Sequence, residues 1–203
     1  MPAPTPVTTP MRLVVINHVS LDGVMQSPGR PDEDTRDGFR HGGWAGAAHD
    51  PAVQEAVGRR MGEGYSWLLG RRSYDDMLQH WNDEGGPFKD GLNNATKYVA
   101  SAHDDTELRW PNSTLVTGDV LAEVAALRDE EGGHLVVMGS GELVRSLLPH
   151  DLVDELFLMI HPLVLGSGRR LFGPAEEPHG LTLVDCSPSD TGVVMATYQR
   201  EVA

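Results

Sequence analysis

Eight short apolar runs, most of them rich in β-branched or aromatic residues, alternate with segments of helical spacing, and this alternation restricts the chain more than any other feature. The runs fall at 12–19 (RLVVINHV), 65–69 (YSWLL), 97–100 (KYVA), 114–116 (TLV), 134–138 (HLVVM), 153–164 (VDELFLMIHPLV), 181–185 (LTLVD) and 193–199 (VVMATYQ). Each has strand length and is bounded by Gly, Pro, Asn or Asp. Between them, helical spacing runs over 51–63 behind Asp50 and Pro51, over 73–79 from Ser73, over 119–130 from Asp119, and over 141–148 before Pro149. Parallel neighbours cannot be joined by tight turns and need crossover helices, so the alternation predicts an α/β domain with helices on both faces of a mainly parallel sheet. After Pro149 only loops separate the last three runs, which predicts antiparallel strands at one edge.

The length suits one core, and no shift in composition marks a second domain. Residues 1–10, with four prolines, read as a flexible N-terminal tail, and 11–203 as the single domain. The tail lacks the pattern of a secretory signal, and no stretch reaches the roughly 18 consecutive apolar residues of a membrane-spanning helix. A lone cysteine, Cys186, excludes an internal disulfide framework and a zinc site of paired cysteines, so a reducing cytoplasm is expected. With 30 Asp+Glu against 16 Lys+Arg the formal charge is −14, which argues against nucleic-acid binding. An anionic ligand must then be held by a local concentration of donors.

Three strand ends offer such donors or a functional carboxylate. In Leu69-Gly70-Arg71-Arg72-Ser73-Tyr74 a strand enters a helix through a glycine, two arginines and a serine able to cap. Helix N-termini attract phosphate and the arginines can clamp it, although an ordinary turn with solvated arginines has the same composition. In Val137-Met138-Gly139-Ser140-Gly141-Glu142-Leu143 glycines again open a helix and let backbone N–H groups approach a pyrophosphate. Val144 stands where the dinucleotide fingerprint needs a third glycine. Both turns lie at carboxyl ends of strands, where open α/β sheets bind ligands. In Val19-Ser20-Leu21-Asp22-Gly23, Asp22 is either a functional carboxylate or the side chain that closes a turn. The stretch 27–49 is long for an idle connection and reads as a lid or binding loop.

The ordered series SLDG, LLGRRSYDDM, NNATKYVAS, LVVMGSGELVRSLL, LVDELFLMIHPLVLGSGRRLFG and TGVVMATYQ, spread over about residues 11–200, resembles the dihydrofolate reductase-like superfamily. Within it the chain is similar to stand-alone relatives of the C-terminal reductase domain of the bifunctional riboflavin biosynthesis protein RibD. The resemblance implies a three-layer α/β/α fold with about eight strands and NADPH lying across their carboxyl ends. It puts Gly70, Arg71, Arg72 and Ser73 at the adenosine 2′-phosphate and pyrophosphate, with Ser101 near the same half. Gly139, Ser140, Gly141, Glu142 and Leu143 fall around the pyrophosphate and nicotinamide ribose. Asn17, His18 and Met25 would border the nicotinamide, Val24 and Trp44 the substrate, and the loop from Gln26 to Trp44 would be the lid.

The implied activity is NADPH-dependent hydride transfer to a heterocyclic or sugar-derived substrate, similar to the pyrimidine reductase of riboflavin biosynthesis, with Asp22 the candidate catalytic group. The alternative is a nucleotide- or pteridine-binding sensor or carrier without turnover. The zinc deaminase motifs often fused to the riboflavin enzyme are absent from the sequence, and Glu55 and Glu63 sit in no folate pattern. His41-Gly42-Gly43-Trp44 resembles an esterase oxyanion strand, but no nucleophile elbow accompanies it. Asp32, Glu33 and Asp34 lack calcium-loop spacing, the nine histidines show no metal spacing, and His161-Pro162 reads as the end or bend of a strand. Gly166-Ser167-Gly168-Arg169-Arg170 reads as a turn with exposed arginines, and Trp81, Phe88 and Trp110 as core. Exposed antiparallel edge strands at 181–199 predict a homodimer.

Overall fold

Successive side chains of a strand point to opposite faces of the sheet, so a run buried at consecutive positions feeds two cores at once. The computed structural model describes residues 10–46, 50–174 and 177–201. Leu13 and Val15 of β1 (Arg12–Ser20) pack on one side of the sheet, Val14 and Ile16 on the other. The same split separates Leu135 and Val137 from Val136 in β5 (His134–Met138), and Leu156 and Leu158 from Phe157 and Met159 in β6 (Glu155–His161). Fully burying each such side chain is worth about 1.5–3 kcal/mol, so a one-residue slip of any central strand would be very costly.

The other strands are β2 (Ser66–Gly70), β3 (Lys97–Ala100), β4 (Ser113–Val116), β7 (Leu181–Pro188) and β8 (Val194–Arg200). They form one eight-stranded sheet in the order β4-β3-β2-β5-β1-β6-β8-β7. All pairings are parallel from β4 through β6, and β8 runs antiparallel to both β6 and β7. The expected antiparallel edge is present, and β8 is the strand that reverses. Helices α4 (Val120–Asp129) and α5 (Gly141–Leu147) cover one face. Helices α1 (Pro51–Met61), α2 (Arg71–Glu84) and α3 (Pro87–Asn94) cover the other. The architecture is thus the expected α/β three-layer fold with a mixed, mostly parallel sheet.

Two local expectations change. Helix α2 begins at Arg71 with Gly70 as its N-cap, so Ser73 lies inside the first turn and does not cap it. Helix α3 is an addition: its segment, PFKDGLNN, has poor helix formers, and its formation rests on tertiary contacts. Its Phe88 ring packs 4.7 Å from Trp81 of α2, and its C-terminal carbonyls are held by the buried Lys97 ammonium. β6 ends at His161, immediately before Pro162, as the proline predicts. Of the expected tail, only Pro10 is described; it bridges to Glu131, and residues 1–9 lie outside the described residues. Among the described residues no helix is long and apolar enough to cross a membrane.

Candidate functional site at the carboxyl ends of the central strands

Strand β1 leads away to β2, two places along the sheet, and β5 later returns to the gap between them, so the carboxyl ends of β1, β2 and β5 border one crevice. Two turns there are bonded to each other. The Gly70 N–H donates to Ser140 Oγ at 3.0 Å, and the Ser140 N–H donates to Ser73 Oγ at 2.9 Å. Asn17, 3% exposed, clamps the second turn from beneath: its Oδ1 accepts from Gly139 N–H at 2.9 Å and its Nδ2 donates to the Gly139 carbonyl at 3.3 Å.

The clamp explains how the turn holds an uncommon backbone. Gly139 has φ 68° and Ser140 has φ 49°, a left-handed conformation that costs a non-glycine residue energy. Gly141 lies against Met25: a Cβ at 141 would stand 2.3 Å from Met25 Sδ, so a larger residue there obliges that flexible side chain to move. The consequence is that α2 and α5 begin side by side with no side chain capping either N-terminus. By contrast, α1 and α4 are capped by Asp50 and Asp119. Helix α3, also uncapped, starts where α2 ends, about 20 Å along that helix. First-turn N–H groups therefore converge unclaimed at one place in the crevice, an arrangement suited to a pyrophosphate. Arg71 there is paired with Asp75 at 2.6 Å, and Arg72 is exposed.

The other expected residues divide between surface and support. Ser101, 9% exposed, shares a hydrogen with Thr106 Oγ1 at 2.8 Å and accepts from His103 N–H, which fixes the turn after β3. Leu143 is a core side chain, so only its backbone is available to a ligand. Glu142 reaches Arg169 at 2.8 Å, and Arg169 in turn reaches Asp37 of the long loop at 3.0 Å. Val24 is fully buried under Gly168 and Phe39, which corrects the expectation that its side chain lines the substrate pocket. Trp44 is half-buried, and its Nε1–H donates to the Gln26 carbonyl at 2.7 Å.

That long loop is more tightly built than a length-based reading suggests. Gln26, 3% exposed, donates to the Asp34 and Arg36 carbonyls at 3.1 Å each, and its Oε1 accepts from Arg169 N–H at 2.9 Å. One amide thus uses three of its hydrogen-bonding positions to fold the loop and tie it to the turn at 166–170.

Asp22 has the geometry of the turn-closing alternative. Its Oδ1 accepts from Ser20 Oγ at 2.7 Å and from Leu165 N–H at 3.0 Å, and its Oδ2 from Gly166 N–H at 2.9 Å. These donors, Ser20 foremost, hold its pKa at about 2. A carboxylate so engaged is a poor proton donor near neutrality. Because the folded-state pKa lies below the ordinary value of 3.8, its stabilisation is complete above about pH 4 and is lost as pH falls through 2. Asp22→Asn is expected to lower the melting temperature at pH 7, the difference from the unaltered protein shrinking toward pH 2; a constant difference across that range would contradict it.

A pair of histidines meets near the carboxyl ends of β1 and β6, and half of it carries no signal in the sequence. His18 Nδ1 lies 2.8 Å from His161 Nε2, with the Trp44 ring edge-on to His161 at a centroid distance of 5.2 Å. In sequence His161 marks only the end of a strand, because the two residues are 143 positions apart and meet through β1–β6 pairing.

The RibD C-terminal domain model matches residues 12–195. The uncharacterized protein YyaP of Bacillus subtilis is 30% identical over 137 residues, covering 64% of this chain and 71% of that protein. YwjB of the same organism is 36% identical over 105 residues, covering 52% and 56%. Among solved structures, a protein assigned to riboflavin biosynthesis from Shewanella sp. PV-4 superposes with TM-score 0.71 at 23% identity, covering 95% of this chain and all of that one. Dihydrofolate reductase from Enterococcus faecalis, complexed with NADP(H), gives 0.62 at 17% identity, covering 97% and 100%. A pyrimidine reductase-like protein from Corynebacterium diphtheriae gives 0.61 at 13%, covering 96% and 93%. At these identities the superpositions establish the fold.

Proposed function

The chain belongs to the RibD C-terminal domain family, and from that premise we propose that it is an NADPH-dependent reductase acting on a small heterocyclic or sugar-derived substrate. The observation that carries the proposal is the pair of uncapped helix N-termini, α2 and α5, bonded together at the carboxyl ends of β2 and β5. Their free N–H groups suit a pyrophosphate, and in this proposal Arg71 and Arg72, at the start of α2, hold the further phosphate that distinguishes NADPH from NADH. When bound, the cofactor supplies hydride from its nicotinamide ring. The protein's part is to hold and orient: Asn17 fixes the Gly139–Ser140 turn, Met25 lies against Gly141, and the Gln26-centred loop shields the crevice from water.

Asp22 of the SLDG turn acts, in this proposal, by tying that turn to the 163–170 loop beside the crevice. The absence of a free carboxylic acid at that position favours keeping the second reading, a binder of nucleotide or pteridine without turnover. Oxidation of NADPH on adding pyrimidines, pterins or quinones separates the two. Sustained, substrate-dependent oxidation supports the reductase, whereas NADPH binding with no oxidation by any of them supports the binder.

A homodimer in a reducing cytoplasm is part of the same proposal. β7 is an exposed edge strand carrying Leu183 and Val184 at 51% and 48% exposure, and pairing with a second copy would cover them. A sedimenting mass near twice 22.1 kDa is expected at micromolar concentration; the mass of one chain would contradict it.

A further inference from the structure

Residues 18 and 161 lie on adjacent parallel strands, with Ser20 in register with His161 and His18 with Met159, so both imidazoles rise on the same face of the sheet. That face carries α1, α2 and α3. One hydrogen must lie between His18 Nδ1 and His161 Nε2. Which ring owns it follows from the far nitrogen of His161. The ring is 1% exposed, and its Nδ1 is buried with no hydrogen-bond partner among the described residues. A buried N–H without an acceptor is rarer than an under-used acceptor, so Nδ1 is bare and the hydrogen of His161 sits on Nε2. His161 then donates to His18 Nδ1.

The consequence passes to His18. With Nδ1 occupied as an acceptor, a neutral His18 carries its hydrogen on Nε2. Burial, followed by the facing His161, lowers the His18 pKa to about 4, and burial lowers that of His161 also, so both rings are neutral at pH 7. His18 is partly exposed, and its Nε2 meets no partner among the described residues. Beside the pair, Trp44 supplies an aromatic wall fixed by its bond to Gln26.

We propose that His161 fixes His18 as an Nε2–H hydrogen-bond donor that recognises the ring carbonyl of a flat heterocyclic lactam entering beside Trp44. His18 is the contact residue and His161 a positioning residue. A neutral imidazole in this state reads an acceptor atom; it does not supply the proton of a reduction. The choice of ligand rests on the reductase reading, whereas the tautomer does not.

Long-range proton–nitrogen correlation spectra of the ligand-free full chain at neutral pH report the tautomer directly. Both rings are expected as neutral Nε2–H forms; His18 protonated on Nδ1, alone or on both nitrogens, would overturn the inference. Uracil and pterin are then titrated with and without NADP+. At least one is expected to shift the His18 Nε2 resonance, and no shift with either would overturn the lactam assignment. His161→Gln keeps an amide donor for His18 and is expected to keep probe binding, whereas His161→Phe is expected to weaken it roughly tenfold. Equal probe affinity in His161→Phe and the unaltered protein would contradict the positioning role. Absence of NADP+ binding with the tautomer intact would instead count against the reductase reading alone.

Discussion

Lys97→Met is expected to destabilise the protein by about 3 kcal/mol, because it removes the donor to three carbonyls inside the fold. Lys97 is fully buried, and its ammonium donates to Leu92 O at 2.7 Å, Ala95 O at 2.6 Å and Asn93 O at 3.2 Å. All three acceptors lie at the C-terminal end of α3, where a helix leaves carbonyls unsatisfied and where a cation also meets the negative end of the helix dipole. Burial pushes the Lys97 pKa down to about 8, still high enough for the ammonium to persist near neutrality. Methionine fills the volume and supplies no donor. For a chain of this length the loss corresponds to a fall in melting temperature of roughly 6–12 °C. The exposed Arg59–Glu55 pair on α1 serves as the control: Arg59→Met is expected to change stability by less than about 1 kcal/mol. Equal effects from the two substitutions would show that the Lys97 network contributes nothing special.

Asn17→Leu is the second large effect, and it falls on binding as well as stability. The side chain is buried, and both its polar atoms are spent on one residue, Gly139. Leucine is close in size, so the substitution leaves little cavity but strands the Gly139 N–H and carbonyl. The expected cost is about 1–3 kcal/mol of stability. The Gly139–Ser140 turn, with both φ values positive, would then be free to relax toward ordinary backbone. Since that turn positions the start of α5 against the start of α2, NADPH affinity is expected to fall by about one to two orders of magnitude. Unchanged affinity in a folded variant would show that the turn does not contact the cofactor.

Strand positions were legible because buried strands carry their own evidence: a run such as LVVM, closed by Gly139, or LVVINHV, ended before Asp22-Gly23, leaves few alternatives. The turns at Gly70 and Gly139 were legible for a related reason, as strand-to-helix junctions with glycine. What sequence did not show was that the two turns bond to each other through Ser73 and Ser140, because that depends on β5 entering the sheet beside β2. Helix α3 was missed because its stability lies in Lys97 and Trp81, outside its own segment; Pro87 at its first position was the one local signal.

The SLDG turn shows the opposite limit. Asp22 was open to two readings in sequence, and only the position of the 163–170 loop, with Leu165 and Gly166 donating to both carboxylate oxygens, tells them apart geometrically. His161 lay in a segment read for its strand, and its partner His18 was read for a different neighbour. A contact across parallel strands leaves no spacing signature in the chain, which is why the pair emerges only from register.

The most direct test of the account is a titration of the protein with NADPH and NADH, followed by nicotinamide fluorescence, repeated with Arg71→Ala/Arg72→Ala. NADPH is expected to bind more tightly than NADH, with the preference lost in the double variant and NADH binding little changed. Failure of the unaltered protein to bind either nucleotide would contradict the cofactor site at the junction of α2 and α5, and with it the proposed reductase.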